Sequence, residues 1–240
     1  YKTVLTHGFL VDGQGKKMSK SLKNGMEPEQ IINKYGADVL RLWVASCDYR
    51  EDVRVSEEIL KGHIDAYRKI RNTIKFLLGN IGDMTAGDIV DYKSLNEIDR
   101  YALASLNDVI KQSTLGFENY EFHKTVNAVN NFCTVFLSGF YLDALKDIMY
   151  CDKINSKDRK SAQTAMLEIV TVLTQILAPI LSFTTQESWN EIIKINKNLP
   201  KFVTLADYPK ENIKYNLDNE TLAKWENLVL IKQKVLVENE

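Results

Sequence analysis

The sequence is poor in the groups that fix a fold or a site by covalent or metal chemistry. Its 240 residues include three cysteines, Cys47, Cys133 and Cys151. They are odd in number and widely spaced, which argues against a disulfide framework, and no Cys-x-x-Cys pair marks a zinc ribbon. Each is expected as a small core hydrophobe. The three histidines, His7, His63 and His123, have no partners at metal-ligand or triad spacing and read as structural, so no metal site is expected. No stretch has the length and apolarity of a membrane span, and no signal peptide is expected. A cytoplasmic protein without a membrane partner is therefore expected. Bulk charge is missing too: 31 Lys and Arg against 32 Asp and Glu leave a net charge of −1. A nucleic-acid partner would have to be met by a local basic face.

What is present is an ordinary globular composition, 45% apolar and 26% charged, enough to bury a sizeable core. Residues Thr3 to Val11 are rich in β-formers and Asp12-Gly13 supplies a tight turn. Pro28 suits the first turn of a short helix ending at Gly36, and Ala37 to Ser46 reads as another. From Ser56 onward the pattern is helical. Ser56 is a plausible N-cap before Glu57 and Glu58, and Leu60, Ile64, Tyr67, Ile70, Ile74, Leu77 and Ile81 recur at spacings of three and four. Further helices are expected over about 97–117, 121–150 and 158–177. A capping-box pattern, Thr184-Thr185-Gln186-Glu187, opens a short one, and the last begins near Asn219. In the third long helix Val126, Val129, Cys133, Phe136, Phe140 and Ala144 form a stripe widened by Val135, Leu137 and Tyr141. That breadth predicts the central helix of a bundle.

The fold class expected is mainly α: an antiparallel helical bundle preceded by a short α/β remnant whose strand lacks sheet partners. Residues 1–50 form the remnant, 51–195 the bundle, and 196–240 a loop and the start of a further helical region. Both ends fall inside regular elements, so the chain is expected to be a piece of a longer protein.

Chemistry concentrates in residues 16–24, Lys-Lys-Met-Ser-Lys-Ser-Leu-Lys-Asn, with four lysines, two serines and no acid. Ammonium and hydroxyl groups behind Gly13 and Gly15 suit a mobile loop that closes over a polyphosphate. The plainer alternative is a solvated basic turn. The order Lys17-Met18-Ser19-Lys20-Ser21 resembles the KMSKS signature of class I aminoacyl-tRNA synthetases. Residues 3–24 as a whole are similar to that region, and so are Gly36 to Ser46, Asp65 to Thr73, Phe140 to Asp147 and Pro179 to Thr184. Within the family the isoleucine branch of bacterial type is resembled most, with the valine and leucine branches as alternatives.

The resemblance implies a ligase that activates isoleucine with ATP and Mg2+ and transfers it to tRNA(Ile), working as a monomer. Lys20 would stabilise the ATP phosphates in the transition state, where a positioned ammonium lowers the barrier. Lys17 would assist, Ser19 and Ser21 would donate hydrogen bonds, and Met18 would anchor the loop by packing. The family often has glycine before the asparagine, where this chain has Lys23. No HIGH-type motif, complete nucleotide-binding sheet or editing domain is present. The chain alone is therefore expected to be inactive, and any zinc would belong to a downstream domain.

The helical part resembles the anticodon-binding domain of the same family. Lys61, Arg68, Asn72 and Lys75 fall on one side of the first long helix, flanked by Lys69 and Arg71. Such a stripe could track the phosphates of a tRNA stem. A solvated face, which also contains Asp65, is the competing reading, and Arg71 and Asn72 have the alternative of bridging helices. Trp189, Tyr208 and Trp225 are of the type that stacks on bases, but core packing is the stronger expectation for each. A non-catalytic tRNA-binding module is the competing reading from another class.

Overall fold

The computed structural model describes residues 1–19, 21 and 24–238. Helices dominate it. Strand β1, Leu10–Asp12, precedes helices α1, Pro28–Tyr35, and α2, Ala37–Ser46; strand β2, Val53–Val55, follows. Pro28 lies in the first turn of α1, where its missing N–H costs nothing. Gly36, at φ +92°, has a positive φ that glycine tolerates and is the single residue between α1 and α2. The strands pair in parallel, Leu10 opposite Val53 and Asp12 opposite Val55, with the helices as the crossover. The strand from Thr3 is thus shorter than expected, and it does have a sheet partner. That partner is three residues long, immediately ahead of the next helix.

Helix α3, Glu57–Ile81, starts as its sequence dictates: Ser56 Oγ accepts the Ile59 N–H at 3.2 Å, and Glu57 and Glu58 sit in the positive first turn. Leu60, Ile70, Ile74, Leu77 and Ile81 are buried along one side. Helix α4, Glu97–Glu118, follows after a loop. The third long helix is not uniform. It runs as α5, Phe122–Asn131, a π-helical segment, Phe132–Tyr141, then α6, Leu142–Ala144, and α7, Lys146–Cys151. At the end of the π segment the Leu142 N–H donates to Leu137 O, five residues back. The wider turn rephases the apolar stripe: Cys133, Leu137, Phe140 and Tyr141 are buried, while Val135 is exposed.

Helix α8, Lys157–Leu177, is the most enclosed element, packing on α3, α4 and α7 and on helix α9, Ser182–Ile195. It has the central place that the sequence suggested for the third helix. Along it Ala162, Ala165, Met166, Ile169, Val170, Leu173, Ile176 and Leu177 have no accessible surface. The buried acid of this core is paired. Asp99 of α4 accepts the Tyr141 hydroxyl at 2.7 Å and the Ser161 hydroxyl at 2.5 Å, as a buried carboxylate must. Helix α10, Asn219–Glu238, returns to the bundle through Trp225, which stacks on Tyr101 at 5.5 Å and donates Nε1–H to Glu97 at 2.9 Å.

The capping-box pattern at Thr184 is used differently from expectation. Helix α9 begins at Ser182, two residues earlier, and no side chain at its own start caps it. The cap comes from α2: Asp38 accepts the Thr184 N–H at 2.7 Å and the Thr184 hydroxyl at 2.6 Å. A second, smaller hydrophobic cluster, Ile31, Trp43, Val55 and Leu60, joins α1, α2, β2 and α3 beneath the lysine-rich loop.

Candidate phosphate loop and basic helix face

The loop leaves β1 at Asp12 and is folded back on it. Gly15, at φ +82°, makes the turn, and its N–H donates to Asp12 O at 2.9 Å. The Asp12 N–H donates to Lys16 O at 2.9 Å, and Val11 and Lys17 form an antiparallel bridge. Lys17 therefore runs beside the strand, with Nζ 5.7 Å from the centre of the Phe9 ring.

Two side chains close the loop. Asp12 Oδ1 accepts the N–H groups of Gln14 and Lys16 at 3.0 and 2.9 Å, and its Oδ2 accepts from Asn24 Nδ2 at 2.8 Å. Asn24 Oδ1 in turn accepts the Ser19 N–H at 3.0 Å. The Asn24 amide, followed by the Lys16 N–H, holds the Asp12 carboxyl below the usual carboxylate range. It is therefore ionised and acceptor-only, and all its partners are donors. Ser19 Oγ lies 3.1 Å from Ser21 Oγ, which brings two hydroxyls together at the tip. Met18 packs against the cluster of Ile31, Trp43, Val55 and Leu60. Lys20, the proposed catalytic group, lies outside the described residues, as do Leu22 and Lys23.

On α3, Lys61, Arg68, Lys69, Arg71, Asn72 and Lys75 are all exposed. Lys61, Arg68, Asn72 and Lys75 form one ridge; Asp65 lies in it and meets Arg68 at 3.5 Å. Both partners are well exposed, so the pair is a weak restraint. Lys69 lines a groove of about 470 Å³ beside the π segment, together with Asn72, Ser138 and Lys146. Arg71 and Lys75 line a second groove of about 500 Å³ toward α9, with Glu187, Glu191 and Lys194. Among the described residues neither Arg71 nor Asn72 is hydrogen-bonded to another helix. The ridge thus has cationic side chains along its crest and on both flanks, the pattern needed to follow a phosphate backbone.

The aromatic candidates serve the core. Trp189 is fully buried and donates to Pro200 O at 2.8 Å; Tyr208 packs edge-on to Phe117 at 5.7 Å; Trp225 is stacked on Tyr101. The sequence marks Asp12 only as a turn residue and gives Asn24 and Asp38 no role, although an acid at a strand end and an asparagine closing a lysine run are visible there. Among the described residues no three His, Cys, Asp or Glu side chains are grouped to hold a metal ion. No described helix is long and apolar enough to cross a membrane.

Known proteins align with both parts. The family described as the anticodon-binding domain of tRNA ligase matches residues 99–240, and that of tRNA synthetases class I (I, L, M and V) matches residues 1–56. An isoleucine–tRNA ligase of Thermoanaerobacter sp. (strain X514) is 46% identical over 98% of this chain and 25% of its own length. For that of Caldanaerobacter subterraneus subsp. tengcongensis the figures are 48%, 98% and 25%, and for that of Listeria monocytogenes serovar 1/2a 47%, 98% and 25%. The chain spans about a quarter of the length of these relatives. Among solved structures, a LeuRS of Agrobacterium radiobacter K84, in a ternary complex with tRNA and LeuAMS, has a TM-score of 0.64 at 18% identity. The similarity covers 86% of this chain and 24% of that one. At that identity the likeness is one of fold. With the first family match running through more than half of its residues, the chain belongs to the family described as the anticodon-binding domain of tRNA ligase, and the stretch that holds the lysine loop matches the class I tRNA synthetases.

Proposed function

We propose that this chain is the part of an isoleucine–tRNA ligase that joins an ATP-phosphate loop to a tRNA-binding bundle. The whole enzyme would activate isoleucine with ATP and Mg2+, release pyrophosphate and pass the aminoacyl group to tRNA(Ile), as a monomer in the cytoplasm. Residues 1–50 supply the loop and its support, 51–195 the tRNA-binding bundle, and 196–240 the approach to a further helical region. Lys20 carries the ammonium that stabilises charge on the leaving phosphates, and Lys17 assists. Ser19 and Ser21 offer hydroxyl donors to the same oxygens, and Met18 keeps the loop seated. Lys61, Arg68, Lys69, Arg71, Asn72 and Lys75 meet the tRNA backbone.

The observation that carries this reading is the closure of the loop by Asp12 and Asn24, 2.8 Å apart, which holds a lysine-rich segment against a strand end. A merely solvated turn has no need of such a brace. The near-half identity to isoleucine–tRNA ligases supports the choice of amino acid. Pyrophosphate exchange by the full-length polypeptide, run with isoleucine, valine and leucine in turn, tests it. Turnover is expected with isoleucine ahead of the other two. Exchange led by valine or leucine would move the chain to another branch, and none with any amino acid would leave a tRNA-binding module without catalysis.

A further inference from the structure

We infer that Asp38 and Arg41 are positioning residues that fix the lysine loop relative to the tRNA-bound bundle and so serve the transfer step more than activation, an inference that rests on the function proposed above. Asp38 is only 5% exposed. Besides the two bonds from Thr184, its carboxylate accepts a longer one from the Phe183 N–H at 3.4 Å. A residue of α2 thus supplies the N-terminal cap of α9 from across most of the sequence, where the helix dipole also favours a negative charge. The Tyr67 hydroxyl of α3 joins the same Thr184 oxygen at 2.9 Å, so α2, α3 and α9 meet at one polar junction.

Arg41, one turn along α2, grips the corner between α8 and α9. Its Nε donates to Ile180 O at 2.8 Å and its Nη2 to Pro179 O at 2.6 Å. The rigid guanidinium fork matches two successive carbonyls, a geometry a lysine cannot reproduce. The same helix contributes Trp43 to the small cluster on which Met18 of the loop packs. One ten-residue helix therefore carries part of the loop's seat and the clamp on the bundle. The loop's own closure, through Asp12 and Asn24, is independent of that clamp. Releasing the clamp would leave the loop closed and on its seat, which Val55 of β2 and Leu60 of α3 share, but would let α9 and the corner before it shift against α2, and a displacement of about 1 Å can cost roughly 10²-fold in rate.

The test uses the full-length enzyme with Thr184→Val, Thr184→Ser and Arg41→Lys, rates being normalised to active sites so that unfolded protein does not count. For Thr184→Val and Arg41→Lys, exchange without tRNA and the KM for tRNA should stay within about twofold of the parent, while kcat for aminoacylation falls roughly tenfold or more. Thr184→Ser, which keeps the hydroxyl, should restore it. An unchanged kcat for aminoacylation would overturn the inference. So would exchange and aminoacylation falling by the same factor, the signature of a merely structural contact. A parent enzyme without isoleucine-dependent exchange would sink the proposed function itself, and this inference with it.

Discussion

The Asp12 carboxylate and the Asn24 amide lie 2.8 Å apart and tie together the two ends of the lysine-rich loop. They lie twelve positions apart in the sequence, and the described residues between them belong to no helix. Asn24→Ala removes the tie and, with it, the Asn24 Oδ1 that accepts the Ser19 N–H. In the full-length enzyme isoleucine-dependent exchange should then slow by about tenfold through lost positioning, with tRNA affinity unchanged. Asn24→Asp should be worse than Asn24→Ala, because it sets two carboxylates against each other. Exchange kinetics and filter binding on the same preparations check both outcomes.

Asp99 is buried with two hydroxyl partners, Tyr141 and Ser161. Asp99→Ala strands both, at a cost of about 2–4 kcal/mol in chemical unfolding, whereas Asp99→Asn keeps most of the geometry. Burial raises the Asp99 pKa in the folded state, so the native protein holds this proton more tightly than the unfolded chain. Its contribution is fully present below the unfolded pKa and is lost as pH rises through the folded one. Measured across the acidic range, the stability of the parent relative to Asp99→Asn should fall as pH rises, the groups common to both cancelling in the difference.

Helix α10 is held by Trp225, which stacks on Tyr101 and meets Phe140 edge-on, by the carboxylate of Glu97, which receives Trp225 Nε1–H and the Lys224 ammonium, and by the Lys232 ammonium on Asp143. Trp225→Ala should cost about 2 kcal/mol from the half-buried ring and its stacking, and Lys224→Ala only a few tenths. Limited proteolysis should cut the Trp225→Ala variant first within 219–238. Equal resistance of the two variants would show that the stack does not hold the helix.

The α3 ridge carries the tRNA proposal. Affinity of the full-length enzyme for tRNA should fall as salt rises with a log–log slope of several units, on the order of one per phosphate neutralised. Lys61→Ala and Lys75→Ala should each reduce the slope by about one, with little dependence on tRNA sequence. Arg68 is shared with Asp65, so Arg68→Ala should change it less. A slope that ignores all three substitutions would move the tRNA to another face.

Legibility followed locality. Ser56 and the apolar spacing from Leu60 to Ile81 define α3 within one stretch of chain, and the structure follows them. Because α3 is regular, exposure of its cationic ridge also followed from the 3.6-residue repeat. The π segment escaped because its residues, Phe-Cys-Thr-Val-Phe-Leu-Ser-Gly-Phe-Tyr, are apolar on nearly every side, so an added residue per turn leaves no mark in the pattern. Thr184-Thr185-Gln186-Glu187 has the spacing of a cap, yet the oxygen that caps α9 belongs to Asp38, far away in sequence. Strand β2 is three residues long, too short for alternation to show. In the loop, the lysines and serines were plain from composition. The Asp12–Asn24 tie was not, because nothing in a twelve-residue spacing implies a contact.

One substitution bears most directly on the joining of a phosphate-stabilising loop to a tRNA-binding bundle. Lys20→Ala in the full-length enzyme should lower isoleucine-dependent exchange by about 10²–10³-fold, while tRNA affinity at fixed salt stays that of the parent. If exchange persisted, or if exchange and tRNA affinity fell in step, Lys20 would be no more than one of several surface cations and the catalytic role of the loop would be contradicted.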